Sequence, residues 1–167
     1  MSAATDELIR GALAGVVVAL AVEAKSAQPL AGRGWRVRVS GVGPAHARHE
    51  AEVLIASGVR RLLVWGTAGG LSPALAAGTL IVPEIVINAV DGKQFAVSAR
   101  WQSRLADVLA PLGFPFVGGG ALASVAEPLA NAAEKTALAA RTGALMVDME
   151  AAAVAAVAAA HEGVEFA

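Results

Sequence analysis

The chain has no cysteine and no tyrosine. The first absence excludes a disulfide framework, a thiol nucleophile and any cysteine-ligated zinc. Aromatic residues are confined to three Trp and four Phe. Charge is sparse as well: Asp, Glu, Lys and Arg make up 16% of the 167 residues and nearly cancel, at a net −1. No basic run exceeds Arg60-Arg61, which argues against a nucleic-acid partner. Long apolar runs are missing too. Between Arg10 and Glu23, Gly11 to Val22 are uncharged, well short of the roughly 20 residues that a spanning helix needs. With Val22-Glu23-Ala24 as a weak cleavage site this stretch mimics a secretory leader, but Asp6 and Glu7 stand where a leader is basic. The stretch from Ala144 to Ala160 is broken by Asp148 and Glu150 and reads as soluble. No membrane span and a cytoplasmic location are expected.

What the chain does have is alanine, 41 residues of it, within a 56% hydrophobic composition. Disordered chains are poor in apolar residues and rich in charge, so disorder is excluded. The length fits one domain, 1–167, whose small side chains suit helices packed closely on a parallel sheet. Short β-branched runs alternate with alanine-rich segments. Val16 to Leu20 reads as a strand buried on both faces, and Trp35 to Val39 as one nearer an edge. Pro44 opens a helix from Ala45 to Ser57, stopped by Gly58. Arg61 to Trp65 is a strand closed by Gly66-Thr67-Ala68-Gly69-Gly70. Thr79 to Val90 is strand-like, with a break or bend at Pro83. Trp101 to Leu109 is a helix, and Phe116 to Ala123 a glycine-rich strand. Ser124 and Glu127 have capping-box spacing, with Pro128 one step inside a helix that ends at Gly143. Ala144 to Val147 is a strand leading into a helix from Met149 to His161, and Val164 to Ala167 begins another strand. This alternation predicts an α/β fold with a largely parallel sheet.

In such sheets ligands bind beyond the carboxyl ends of the strands. That rule selects Glu23, Gly41 to Gly43, Gly66 to Gly70, Ser124 to Leu129, and Asp148-Met149-Glu150. Gly41-x-Gly43 lacks the third glycine of a dinucleotide fingerprint, His46 standing in its place, and reads better as a tight turn. The Gly66 to Gly70 loop lets backbone N–H groups approach an anion or a sugar, or it is a wide turn; it lacks the lysine of a nucleoside-triphosphate loop. Glu23 follows an apolar strand, either as a proton-transfer group or as a helix-start carboxylate. Asp148 reads as a helix cap, and together with Glu150 it forms a possible binding edge for hydroxyls. His46 and His49 share a helix face without a third ligand, so no metal is expected.

Taken together, Glu23, Ser40-Gly41-Val42-Gly43, Trp65 to Leu71 and Val147-Asp148-Met149-Glu150-Ala151-Ala152-Ala153 resemble the purine nucleoside phosphorylase / methylthioadenosine nucleosidase superfamily. The likeness runs from about Gly15 to Ala167 and is greatest to the bacterial hopanoid-associated phosphorylase-like proteins. They share the Trp-Gly-x-Ala-Gly-Gly-Leu loop, a Pro in the base-side loop, and the Ala-Glu-Lys-x-Ala-Leu run at Ala133 to Leu138. The resemblance implies a three-layer α/β/α fold with a mixed, mostly parallel sheet. It implies cleavage of the N-glycosidic bond of a purine nucleoside or an adenosyl-lipid, by water or phosphate, with no cofactor. Glu150 would hold ribose hydroxyls and Met149 would pack on the sugar. Thr67 and its neighbours Ala68 and Gly69 would contact the nucleophile side, Pro128 and Leu129 would make backbone contacts to the base, and Gly43 would also bind substrate. Glu23 would activate water. A carboxylate near the ribose and a poised nucleophile both favour an oxocarbenium-like transition state.

The chain departs from the family pattern in three places. Val64 replaces an Arg of the hexameric phosphorylases, which removes one phosphate clamp. Pro128 stands where nucleosidases often carry a stacking aromatic. The family's aspartate that protonates purine N7 falls past Ala167, so a domain lacking its last strand and helix is expected. The alternative expectation is a catalytically impaired nucleoside-binding or assembly protein of the same fold. A sheet edge left open by a missing strand would favour a homo-oligomer, dimer or higher. A dinucleotide-binding domain is a third, plainer option.

Overall fold

Val16, Val17 and Val18 are fully buried, and they form the centre of the first sheet. The structure, a computed structural model, describes residues 13–113 and 116–167. Arg10 and the start of the leader-like stretch lie outside them. Strand β1 (Ala14–Val18) runs parallel to β2 (Arg36–Val39) on one side and β3 (Arg61–Val64) on the other. The final strand, β11 (Glu165–Phe166), extends the same sheet beyond β3, giving the order β11-β3-β1-β2. As its alternating pattern predicts, β2 is an edge.

Side chains of β1 leave it in alternate directions and find helices on both faces, as the period of two requires. Val17 packs with Ala47, Ala51 and Leu54 of α2 (Pro44–Ala56), whereas Val16 and Val18 pack with Ala27 of α1 (Ala21–Ala31) and Trp101 of α3 (Ala99–Leu109). Trp35 and Trp101 meet edge to face, with centroids 5.5 Å apart. The result is a three-layer α/β/α arrangement.

A second sheet has the order β4-β10-β9-β6-β7. Its core, β10 (Met146–Asp148), β9 (Ala121–Ser124) and β6 (Ile85–Asn88), is parallel. Its two edges, β4 (Gly69–Gly70) and β7 (Gln94–Ala96), are antiparallel. A third, two-stranded sheet pairs β5 (Leu80–Val82) with β8 (Phe116–Gly118). Helix α4 (Ala132–Thr142) precedes β10, and α5 (Ala151–Ala159) follows it and packs against α2.

Several boundaries differ from the sequence reading. The break at Pro83 is a change of sheet: β5 and β6 belong to different ones. The expected strand from Phe116 to Ala123 is two strands in two sheets, separated at Gly119 and Gly120, whose φ of 98° and 76° only glycine adopts readily. The helix expected after Ser124 begins only at Ala132, so Pro128 lies in a loop. Ser124 ends a central strand, in register with Asp148 on one side and Asn88 on the other. The true cap is Asn131, whose side chain accepts the Glu134 N–H at 3.0 Å while Glu134 returns to Asn131 and Ala130. Helix α1 is foreshadowed only by the reading of Glu23 as a helix-start carboxylate, and Glu23 does lie in its first turn. Glycines at 58 and 143 end their helices as expected.

Candidate functional site

Three carboxylates gather where the two larger sheets meet, and they differ in how fully they are engaged. Glu23 sits in the first turn of α1, which starts within three residues of β1, so its side chain folds back over the strand end. One carboxylate oxygen accepts the N–H groups of Ala19 and Leu20, at 3.1 and 2.9 Å. The other accepts the Thr67 N–H at 2.8 Å and the Thr67 hydroxyl at 2.9 Å. An ionised carboxylate offers about four lone-pair sites, so Glu23 is saturated. It ties the end of β1 to the glycine loop after β3. Gly66 explains why that loop begins with glycine: a Cβ there would lie 2.9 Å from the Glu23 carboxylate.

Asp148 ends β10. Its Oδ2 accepts the N–H groups of Ala151 and Glu150, at 2.8 and 3.3 Å, so it caps α5, as its sequence position suggested. Oδ1 accepts the hydroxyl of Ser124. The Ser124 oxygen in turn accepts the Ala152 N–H at 2.9 Å. Burial pushes the Asp148 carboxyl up to about 6, against the Ser124 and Ala151 bonds, which pull it down. Three of its four acceptor sites are filled.

Glu150 is the least engaged. Its Oε1 accepts the Gly43 N–H at 2.6 Å, and Oε2 accepts the Met149 N–H at 3.2 Å. Each oxygen keeps one lone pair. A carboxylate with two free, adjacent acceptor sites suits two vicinal hydroxyls. Gly43 presents its N–H from a φ of 106°, a conformation that side-chain-bearing residues avoid.

Two adjoining clefts expose these groups, and both are lined by Glu23, Thr67, Asp148 and Glu150. The smaller runs under the glycine loop past Ala68. The larger, about 280 Å³, is near the lower bound of roughly 300 Å³ for small-molecule pockets. Met149, Gly69, Pro128 and Leu129 line it, with Val125 and Lys135. The expected site residues are therefore brought to one place, Gly43 through its bond to Glu150. Ser124 belongs to the selected Ser124 to Leu129 segment but does not form the helix cap expected of it. Lys135 stands out in the sequence only as part of the family-like run. His46 and His49 are exposed, and the His46 ring nitrogen lies 3.0 Å from the Val42 carbonyl. Among the described residues no group of three or more His, Cys, Asp or Glu is placed to hold a metal. Among them, too, no helix is long and apolar enough to cross a membrane.

Comparison with known proteins places the fold and the family. No curated protein matches the chain. Among solved structures, a 5'-methylthioadenosine/S-adenosyl homocysteine nucleosidase from Helicobacter pylori superposes with a TM-score of 0.80 at 23% identity, over 94% of this chain and 83% of that one. A futalosine hydrolase from the same organism gives 0.82 at 21%, over 93% and 81%. The corresponding nucleosidase from Campylobacter jejuni gives 0.82 at 19%, over 93% and 82%. At such identities the likeness shows the fold. A family model, the phosphorylase superfamily, matches residues 3–167. From almost its first residue to its last, the chain belongs to the phosphorylase superfamily.

Proposed function

We propose that the protein cleaves the N-glycosidic bond of a purine nucleoside, with water as the nucleophile. The observation that carries this reading is the unequal engagement of the three carboxylates. Glu150 keeps an open acceptor site on each oxygen, which fits the 2′ and 3′ hydroxyls of a ribose, with Met149 beside it for the sugar face. Pro128 and Leu129 supply an apolar wall for the base. As the bond between the sugar C1′ and the base breaks, the electron pair leaves with the base, which takes up a proton from solvent, and positive charge develops on the sugar. The carboxylates lining the clefts stabilise that charge. Water adds its oxygen to C1′ and gives up a proton. Glu23 is the group to receive it, once the Thr67 hydroxyl turns away from Oε1 and opens an acceptor site.

Water is favoured over phosphate on electrostatic grounds. Among the described residues, the two clefts are lined by three carboxylates and one cation. A phosphate dianion entering there would meet net negative charge. Val64, at the position of the phosphorylases' arginine, adds no compensation. The finer reading, an adenosyl-lipid substrate of hopanoid metabolism, has one observation in its favour: an apolar groove shares Val64, Trp65, Ile81, Pro83, Val97 and Ala167 with the smaller cleft. A greasy sugar substituent could lie along it.

Incubation with inosine, adenosine and methylthioadenosine, with and without phosphate, tests the reading. Release of base and free sugar, independent of phosphate, is expected. Absence of base release from every nucleoside would sink it. The second reading, a nucleoside-binding or assembly protein without turnover, draws on the saturation of Glu23 by four donors. Calorimetric binding of nucleosides without hydrolysis, together with self-association by light scattering, would support it instead.

A further inference from the structure

Lys135 has no part in the chemistry described so far. It is half-buried near the N-terminal end of α4 and lines the larger cleft beside Pro128 and Leu129. Among the described residues it is the only cation lining either cleft. Its ammonium has no hydrogen-bond or ion-pair partner among them. The adjacent anion, Glu134, is occupied by Ala130 and Asn131. A positive charge at a helix N-terminus also opposes the helix dipole. An unpaired cation kept at an unfavourable helix position, facing a cleft rich in carboxylates, calls for a ligand group that accepts hydrogen bonds.

We propose that Lys135 donates to the N7 and O6 edge of the purine and makes the site select 6-oxopurines over adenine. This rests on the purine-cleaving reading above. Pro128 and Leu129, the apolar wall proposed for the base, line the same cleft as Lys135 and belong to the loop that leads into α4. Lysine is a donor only. A 6-oxopurine offers it two adjacent acceptors, whereas adenine replaces one of them with an amino donor, which is why lysine and arginine pair with the guanine edge. The same ammonium would stabilise electron density arriving on the base as the glycosidic bond breaks. This preference competes with the adenosyl-lipid substrate, and one set of measurements decides between them.

The test is calorimetry of hypoxanthine and adenine on wild type, Lys135→Met and Lys135→Arg, alongside hydrolysis of inosine and adenosine. Wild type is expected to bind hypoxanthine on the order of tenfold tighter than adenine. Lys135→Met should remove the difference by weakening hypoxanthine, and Lys135→Arg should restore most of it. Thermal unfolding of Lys135→Met should be unchanged or raised, an outcome that a structural lysine would not give. Equal hypoxanthine binding by wild type and Lys135→Met, or tighter binding of adenine by wild type, overturns the proposal. Base binding with the expected preference but no nucleoside hydrolysis overturns only the hydrolase reading. Failure to bind any purine overturns both.

Discussion

The Glu150 carboxylate accepts the backbone N–H of Gly43 at 2.6 Å, across 107 residues of sequence. One bond thus joins the loop before α2 to the start of α5, and so joins the first sheet to the second at the mouth of the clefts. It holds one oxygen of Glu150 still while leaving lone pairs free.

Glu150→Gln is expected to weaken nucleoside binding at least tenfold, because hydrogen bonds to a charged acceptor contribute about 1.5–3 kcal/mol. Glu150→Ala should in addition leave the Gly43 N–H unpaired and lower stability by about 1–3 kcal/mol. Calorimetry and urea unfolding separate the two effects. Undiminished binding by Glu150→Gln would remove this residue from the site.

Gly66→Ala places a methyl group 2.9 Å from a Glu23 oxygen. Either the carboxylate moves off Thr67 or the loop shifts. Nucleoside hydrolysis should fall more than tenfold, with a stability loss of about 1–3 kcal/mol typical of overpacking. Full activity in this variant would show that the contact between Glu23 and Thr67 is dispensable.

Asp148 gives a pH signature. Its folded-state pKa, about 6, lies above the ordinary 3.8, so the folded protein binds this proton more tightly than the unfolded chain does. The associated stability is fully present below about pH 4 and is lost as pH rises through 6, beyond which the term is constant. Its size is about 3 kcal/mol. Urea unfolding of wild type and Asp148→Asn between pH 4 and 7 measures it. The difference in slope between the two proteins should be confined to that window.

Much of the fold was legible in residues that act locally. An unbroken valine run makes a buried strand wherever it sits, and glycines at 58 and 143 stop helices by their backbone freedom alone. Pro83 announced an interruption, since a missing N–H breaks any ladder. What escaped depended on partners distant in sequence. Ser124 and Glu127 have the spacing of a capping box, but so do Asn131 and Glu134. Only the pairing of Ser124 against Asp148 and Asn88 decides which of the two starts the helix. The site was legible in part for the same reason. Glycine loops and carboxylates at strand ends stand out in a sequence, whereas the saturation of Glu23 and the isolation of Lys135 are properties of the assembled neighbourhood.

Ser124→Ala tests that pairing directly. It removes the hydroxyl that donates to Asp148 and accepts from Ala152. A loss of about 1–3 kcal/mol is expected for the groups left unpaired. Because the Ser124 bond holds the Asp148 pKa down, the titration of Asp148 should move above 6. A pH–stability profile or NMR titration of the variant reads the shift. An unchanged midpoint would show that Ser124 does not act on Asp148.

The alanines between α2 and α5 set a distance. Ala47 and Ala51 on one helix, and Ala151 and Ala155 on the other, are buried with almost no exposure, and side chains that short let two backbones come close. The two helices carry Gly43 and Glu150 at their starting ends. A leucine at position 51 would act as a wedge, driving the helices apart and stretching the bond between those ends without touching the cleft. The commonest residue in the chain therefore works as a ruler: the spacing of the site is measured out in methyl groups.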